Sequence, residues 1–313
     1  MEKDDEALRP TADGFDGSNE VQRVLLKPDA EYVDLTHVKL EKIENFEKLT
    51  SVKSLCLRRN KIKKIENLST LTTLTELDLY DNQISKMENL ETLMGLTSLD
   101  LSFNIIKVIE SLDTLTKLEK LFLVQNKISK IEGLDNLTNI DMLELGANKI
   151  RVLEGLDNLT KLRSLFVGKN KITTLQNLDC LVNLKILSIQ SNRIIELRGL
   201  DYLVNLEELY ISHNGIQEIR GLDNLVKLTT LDLANNRISR ITNVSHLVNL
   251  EEFWFNDNKL EHWEDLDELK NCSKLTTIYL ERNPIYHEAG SAYRRKVKLA
   301  LPGLKQIDAT LCQ

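Results

Sequence analysis

Catalysis needs nucleophiles, acid–base pairs or metal ligands brought together by short motifs, and this chain offers few. Its five histidines, His37, His213, His246, His262 and His287, lack ligand spacing, and no H-E-x-x-H, G-x-G-x-x-G or phosphate-binding P-loop occurs. Glu264, Asp265, Asp267 and Glu268 crowd one segment without the glycine of a calcium loop, so they are read as the solvated face of a helical turn. The cysteines Cys56, Cys180, Cys272 and Cys312 form no C-x-x-C pair, which points to free thiols in a reducing compartment. No catalytic residue, metal or cofactor is expected.

What remains is binding chemistry. At one position per 22 residues, and at a final interval of 25, an L-x-L triplet holds in turn Cys56, Asp78, Asp100, Phe122, Glu144, Phe166, Ser188, Tyr210, Asp232, Trp254 and Tyr279. Five of these eleven are aromatic in a chain only 5% aromatic, four are acidic and none is basic. The flanking leucines already occupy the inward phase of a strand, so the central residues face out. Exposed Trp and Tyr cost solubility and are the residue types that most often anchor interfaces. In the neighbouring columns stand Glu76, Lys120, Glu208 and Glu252 on one side and Arg58, Arg59, Tyr80, Phe103, Lys169 and His213 on the other. Aromatic rungs alternating with acids imply a folded partner that presents basic residues beside apolar pockets. Single-stranded nucleic acid would call for aromatics with basic residues instead.

The element that positions this column is a repeat. Asn60, Asn82, Asn104, Asn126, Asn148, Asn170, Asn192, Asn214, Asn236 and Asn258 stand at intervals of 22, and Asn283 follows after 25. Around each the chain reads L-x-x-L-x-L-x-x-N-x-I-x-x-I, the leucine-rich-repeat pattern. One repeat cannot bury its own apolar face, so stacked repeats share a continuous core. The asparagines leave the strand at a turn, and their amides are expected to hydrogen-bond from repeat to repeat. Too few residues separate the strands for full helices. The expected fold is therefore an α/β solenoid: a curved leucine-rich repeat with a parallel concave β-sheet, short 3₁₀ turns on the convex side and a C-terminal capping helix.

Three regions follow. Residues 1–28 are read as a disordered acidic arm, with seven acids against Lys3 and Arg9 in the first twenty positions. Residues 29–283 form the solenoid, opening on a degenerate turn in which Val38 replaces the asparagine, and 284–313 form the cap. Arg294, Arg295, Lys296 and Lys298 are read as the solvated face of the capping helix. The net charge is −7, of which the first twenty residues supply −5 (two basic minus seven acidic), and no basic stripe for phosphate stands out. No apolar run approaches a membrane span or a secretory signal, so neither nucleic acid nor membrane is an expected partner.

Finer wording carries a resemblance. Ile65-Glu66-Asn67-Leu68 and Ile131-Glu132-Gly133-Leu134, Tyr80-Asp81-Asn82, Glu252-Phe253-Trp254, and the end Tyr279-Leu280-Glu281-Arg282-Asn283-Pro284 resemble the regulatory subunit 7 family of type-1 protein phosphatase. So do Tyr293-Arg294-Arg295-Lys296 and the stretch from Ala300-Leu301-Pro302 to Gln306-Ile307-Asp308-Ala309-Thr310; the similarity runs from about residue 30 to the end. It implies a non-catalytic subunit that binds the Ser/Thr protein phosphatase 1 catalytic subunit through its concave face and controls its activity, maturation or targeting. It also implies an additional phosphatase inhibitor subunit in the complex and a location in nucleus and cytoplasm. The family's interface falls here on Asp100, Phe122, Glu144, Phe166, Asp232, Glu252, Trp254 and Tyr279, seven of which the repeat register had already singled out. The basic-Val-x-Phe motif of many phosphatase partners is absent, and the acidic arm is short for the family. The alternatives from other classes are a ribonucleoprotein scaffold of the splicing type and a cytoskeletal scaffold.

Overall fold

The computed structural model describes residues 27–312; the acidic arm expected over 1–28 lies, but for Lys27 and Pro28, outside the described residues. Each repeat contributes one three-residue strand: β1 (Tyr32–Asp34), β2 (Ser54–Cys56), β3 (Glu76–Asp78), β4 (Ser98–Asp100), β5 (Lys120–Phe122) and β6 (Met142–Glu144). Then follow β7 (Ser164–Phe166), β8 (Ile186–Ser188), β9 (Glu208–Tyr210), β10 (Thr230–Asp232), β11 (Glu252–Trp254) and β12 (Thr277–Tyr279). With β13 (Gln306–Ile307) and β14 (Thr310–Leu311) they make one sheet of 14 strands in strict chain order. Strands β1 to β13 pair in parallel and β14 closes the edge antiparallel.

The central residue of each three-residue strand, β1 to β12, points inward, and the core is a set of stacked columns. In one repeat Leu77, Leu79, Ile84, Met87, Leu90, Leu93 and Leu96 are all buried, and the next repeat places Leu99, Leu101, Ile106, Ile109, Leu112, Leu115 and Leu118 beside them. Each such side chain contributes roughly 1.5–3 kcal/mol by leaving water, and a neighbouring repeat is needed for it to do so. On the convex side the chain bends through single i→i+3 turns, such as Leu93 N–H to Leu90 O at 3.0 Å and Leu96 N–H to Leu93 O at 2.9 Å. This is 3₁₀ hydrogen bonding closed one turn at a time, and it lengthens into a 3₁₀ helix at Trp263–Leu269. There the three extra residues of the long repeat add one more buried position, Cys272.

Asparagine holds each rung, as its spacing implied. Asn148 Nδ2 donates to Leu123 O (2.8 Å) in the preceding repeat and to Leu145 O (3.1 Å) in its own, while its Oδ1 accepts from Ile128 N–H (3.0 Å). The same set recurs from Asn60 to Asn283. Two backbone positions per repeat lie in the left-handed region. One precedes each asparagine, from Arg59 (φ 54°) to Arg282 (φ 58°), and the other is the third residue of the I-E-N-L or I-E-G-L wording. That third residue is Asn67, Asn89, Ser111, Gly133, Gly155, Asn177, Gly199, Gly221 or Asn243, the types that tolerate a positive φ or, as serine, bond locally. The recurring wording is thus a conformational requirement.

At the end, α1 (Pro284–Ala289), a 3₁₀ turn at Gly290–Ala292 and α2 (Tyr293–Ala300) lay Ile285, Tyr293 and Val297 over the open core. Two expectations are corrected in this region. Arg295 and Lys296 are exposed as expected of a solvated face, but three of the four cations on α2 also make specific contacts: Arg294 donates to Ile307 O (2.6 Å), Lys298 to Leu304 O, and Lys296 lies 4.8 Å from the Trp263 ring. Asp265, expected on a solvated acidic face, is buried, because Arg240 grips its carboxylate through Nε and Nη2 and Ile241 N–H donates to it at 2.9 Å.

Candidate protein-binding face

The parallel register turns the L-x-L column into a continuous row on the concave face. Asp100 pairs with Phe122, Phe122 with Glu144, Glu144 with Phe166, and Phe166 with Ser188. Ser188 then pairs with Tyr210, Tyr210 with Asp232, Asp232 with Trp254, and Trp254 with Tyr279. Neighbouring rungs stand about 4.8 Å apart. Glu252 precedes Trp254 by two residues and so shares its face; Trp254 Nε1 donates to Glu252 Oε2 at 3.2 Å. All eight candidate residues therefore lie on one surface.

The aromatics divide into two arrangements. Phe122 and Phe166 sit half-buried on either side of Glu144. Tyr210, Trp254 and Tyr279 form a chain of rings, with centroids 6.4 Å apart for Tyr210 and Trp254 and 5.5 Å for Trp254 and Tyr279. Tyr210 and Trp254 come from strands two apart and lean together across Asp232, which is left 5% exposed. Large side chains on a concave face can lean over a short one, so an intervening repeat does not keep these two rings apart. The polar tips are also anchored: Tyr210 Oη donates to Glu208 Oε2 (2.8 Å), and Gln306 Nε2 donates to Tyr279 Oη (2.8 Å).

The acids divide as well, and sequence reasoning missed how. Asp34, Asp78, Asp100 and Asp232 each accept the backbone N–H two residues ahead, at 2.9, 3.0, 2.8 and 3.0 Å. Aspartate here closes an Asx-type turn where the chain leaves the strand. Glu144 is too long for that bond and makes no such contact. The signal was available: the short acid recurs at this position, and glutamate appears there once. Burial holds the carboxyls of Asp78, Glu144 and Asp232 above their ordinary range, and for Glu144 the charge of Asp100 adds to it. A cationic group from a partner would relieve all three. Nearer the N-terminal end, Arg58 reaches Asp78 at 3.3 Å and stacks over Tyr80, 4.3 Å from its ring centre.

Comparison with known proteins agrees with this architecture. A family model described as leucine-rich repeat matches residues 32–146 and 207–311, and one described as two copies of the repeat matches 182–225. Over 43 residues, 14% of this chain, the sequence is 61% identical to protein phosphatase 1 regulatory subunit 7 of Homo sapiens, covering 11% of that protein. It is 50% identical over 44 residues to protein phosphatase 1 regulatory subunit SDS22 of Schizosaccharomyces pombe, covering 13% of it. The chain thus matches only a small part of the length of these relatives. Among solved structures, an internalin of Listeria monocytogenes superimposes with a TM-score of 0.72 at 26% identity, covering 90% of this chain and 87% of that one. A Leptospira interrogans leucine-rich-repeat protein shares the fold at 23% identity, with a TM-score of 0.67 over 83% of this chain and 73% of that one. With its repeat pattern, its single sheet of parallel strands closed by one antiparallel edge strand, and a family model spanning more than half its length, the chain belongs to the leucine-rich-repeat family.

Proposed function

We propose that this protein is a non-enzymatic regulatory subunit that binds the catalytic subunit of protein phosphatase 1 on its concave face and controls its activity, maturation or targeting. The observation that carries the proposal is the unbroken row from Asp100 to Tyr279, in which half-buried rings alternate with carboxylates held in a poorly solvated surface. Phe122, Phe166, Trp254 and Tyr279 act as anchors; Glu144 and Glu252 orient a basic partner, and Asp100 and Asp232 add charge while holding their turns. The similarity to phosphatase regulatory subunits supports this choice of partner. A further inhibitor subunit joins on the surfaces such a complex leaves open, and the complex works in nucleus and cytoplasm.

The test is capture of the phosphatase catalytic subunit by the full chain and by a variant carrying Phe166→Ala and Trp254→Ala. Each true anchor should cost about 2 kcal/mol or more, so the double variant should lose capture. Undiminished capture with an intact circular-dichroism spectrum would refute the proposal. A ribonucleoprotein scaffold would instead bind RNA with a steep salt dependence, which an acidic concave row disfavours.

A further inference from the structure

Along the edge where the chain leaves the concave face, the residue after each ladder asparagine forms a column of its own. It reads Lys61, Gln83, Ile105, Lys127, Lys149 and Lys171 over the first six full repeats. Each of these residues bonds its backbone N–H to the preceding repeat, as Ile105 does to Ile84 O at 2.9 Å and Lys127 to Ile106 O at 2.8 Å, so the rungs are fixed. Lys107, Lys127 and Lys149 pair with no carboxylate among the described residues, whereas Lys86 and Lys130 pair with Glu88 and Glu132.

One repeat breaks this cationic edge. Phe103, Ile105 and Val108 are 41%, 40% and 43% exposed; neighbouring repeats carry Lys127 at the position of Ile105 and Lys86 and Lys130 at that of Val108, while Asp81 and Gln125 flank Phe103. Phe103 is held in the left-handed region (φ 55°), and its ring packs against Tyr80 with centroids 4.8 Å apart. Three exposed apolar side chains on one turn, with Lys107 among them and Lys127 beside them, make an apolar knob with cations along its Ile105 and Val108 side. Its complement is an acidic segment carrying an apolar anchor. On the convex side an acidic column, Glu66, Glu88, Glu110 and Glu132, confines such a ligand to the rim.

We propose that this patch binds the segment Asp13–Val21 of the chain's own N-terminal region. There Phe15 stands between Asp13 and Asp16, with Glu20 and Val21 following. Phe15 lies twelve residues before Lys27 (27 minus 15), a length that spans up to about 40 Å. The patch is in the repeat of β4, three strand spacings or about 14 Å along the axis from β1. Tethering on this scale supplies an effective concentration on the order of millimolar, so an individually weak contact is occupied. The segment brings carboxylates for Lys107 and Lys127, which pair with none among the described residues, and a ring for the apolar knob. This inference is independent of the phosphatase proposal and does not fall with it.

The experiment is zero-length carbodiimide cross-linking of the full chain, with peptide mapping of the monomer band. Links from Asp13, Asp16 or Glu20 to Lys107, Lys127 or Lys130 are expected. They should vanish at about 0.5 M salt and fall at least about tenfold in a Phe103→Ser, Ile105→Ser variant with an unchanged circular-dichroism spectrum. A Phe15→Ala variant should lower the yield similarly without touching the solenoid. Links spread equally to Lys259 and Lys270 at the far end, yields indifferent to the patch, or links confined to a dimer band would each overturn the proposal.

Discussion

Replacing Asn148 by Ala tests whether the asparagine ladder carries free energy or merely marks the turn. In the wild type, Asn148 Oδ1 is the only acceptor given to the Ile128 N–H, at 3.0 Å, and Nδ2 supplies Leu123 O at 2.8 Å and Leu145 O at 3.1 Å. After truncation both carbonyls keep an asparagine from an adjoining rung, since Asn126 also donates to Leu123 O and Asn170 to Leu145 O. The Ile128 N–H keeps nothing, and it is buried. One orphaned buried donor costs about 1–3 kcal/mol, and two hydrogen bonds lost from still-satisfied carbonyls add roughly 0.5–1.5 kcal/mol each. The expected loss is therefore about 3 kcal/mol, and it falls on the junction between the repeats of β5 and β6. Urea unfolding followed by circular dichroism measures it, and hydrogen exchange should show protection lost first around Ile128. Asn192 is the control, being half-buried with the same bonds, so that water can replace part of what Asn192→Ala removes. A loss under about 1 kcal/mol at Asn148, or equal losses at the two sites, would refute the reasoning.

Gly133→Val should destabilise by several kcal/mol in the same assay, because a Cβ would lie 2.5 Å from Ile109 O at a φ of 68°. Asp265→Ala strands the buried Ile241 N–H and removes the bidentate Arg240 contact, for an expected cost of about 2 kcal/mol; Asp265→Asn should recover part of it. Asp232 has a raised carboxyl, so the folded state holds its proton more tightly than the unfolded state. Its contribution to stability is present below the ordinary value of about 3.8 and is lost as pH rises through the folded value. Asp232→Asn keeps an acceptor for the Ala234 N–H without the charge, so it should be more stable than wild type at neutral pH, with the difference vanishing toward pH 3. By the same linkage, binding of a cationic partner should strengthen as pH rises through the window above the ordinary carboxylate values of Asp78, Glu144 and Asp232, as titration calorimetry from pH 4 to 7 would show.

The fold was legible because every level of the pattern repeats. Leu55, Leu57 and Asn60 must recur for a three-residue strand, its core column and its turn to recur, and a period of 22 leaves no other assignment for the residues between. Side-chain reach was less legible. Whether Tyr210 and Trp254 meet over Asp232 depends on the curvature of the sheet and on rotamers, neither of which is written in spacing. The burial of Asp265 depends on Arg240, 25 residues earlier, at a repeat whose neighbour is longer than the rest. An isolated acid run gives no hint of a cation arriving from the next rung.

The concave acids show where a column of like residues conceals two jobs. Aspartate at this position satisfies a backbone donor two residues ahead whether or not a partner is present, so its recurrence at 34, 78, 100 and 232 follows from the turn. Only what the turn does not require is informative about binding. By that criterion Glu144, flanked by Phe122 and Phe166 and held up in pKa without a compensating hydrogen bond, is the acid most committed to a partner. Glu144→Gln should then weaken capture of a basic partner while leaving the unfolding midpoint unchanged or slightly raised. Asp100→Ala should lower both, and Asp100→Asn should lower capture alone. If Glu144→Gln left capture intact while Asp100→Asn abolished it, the division between turn-holding and partner-holding acids would be wrong.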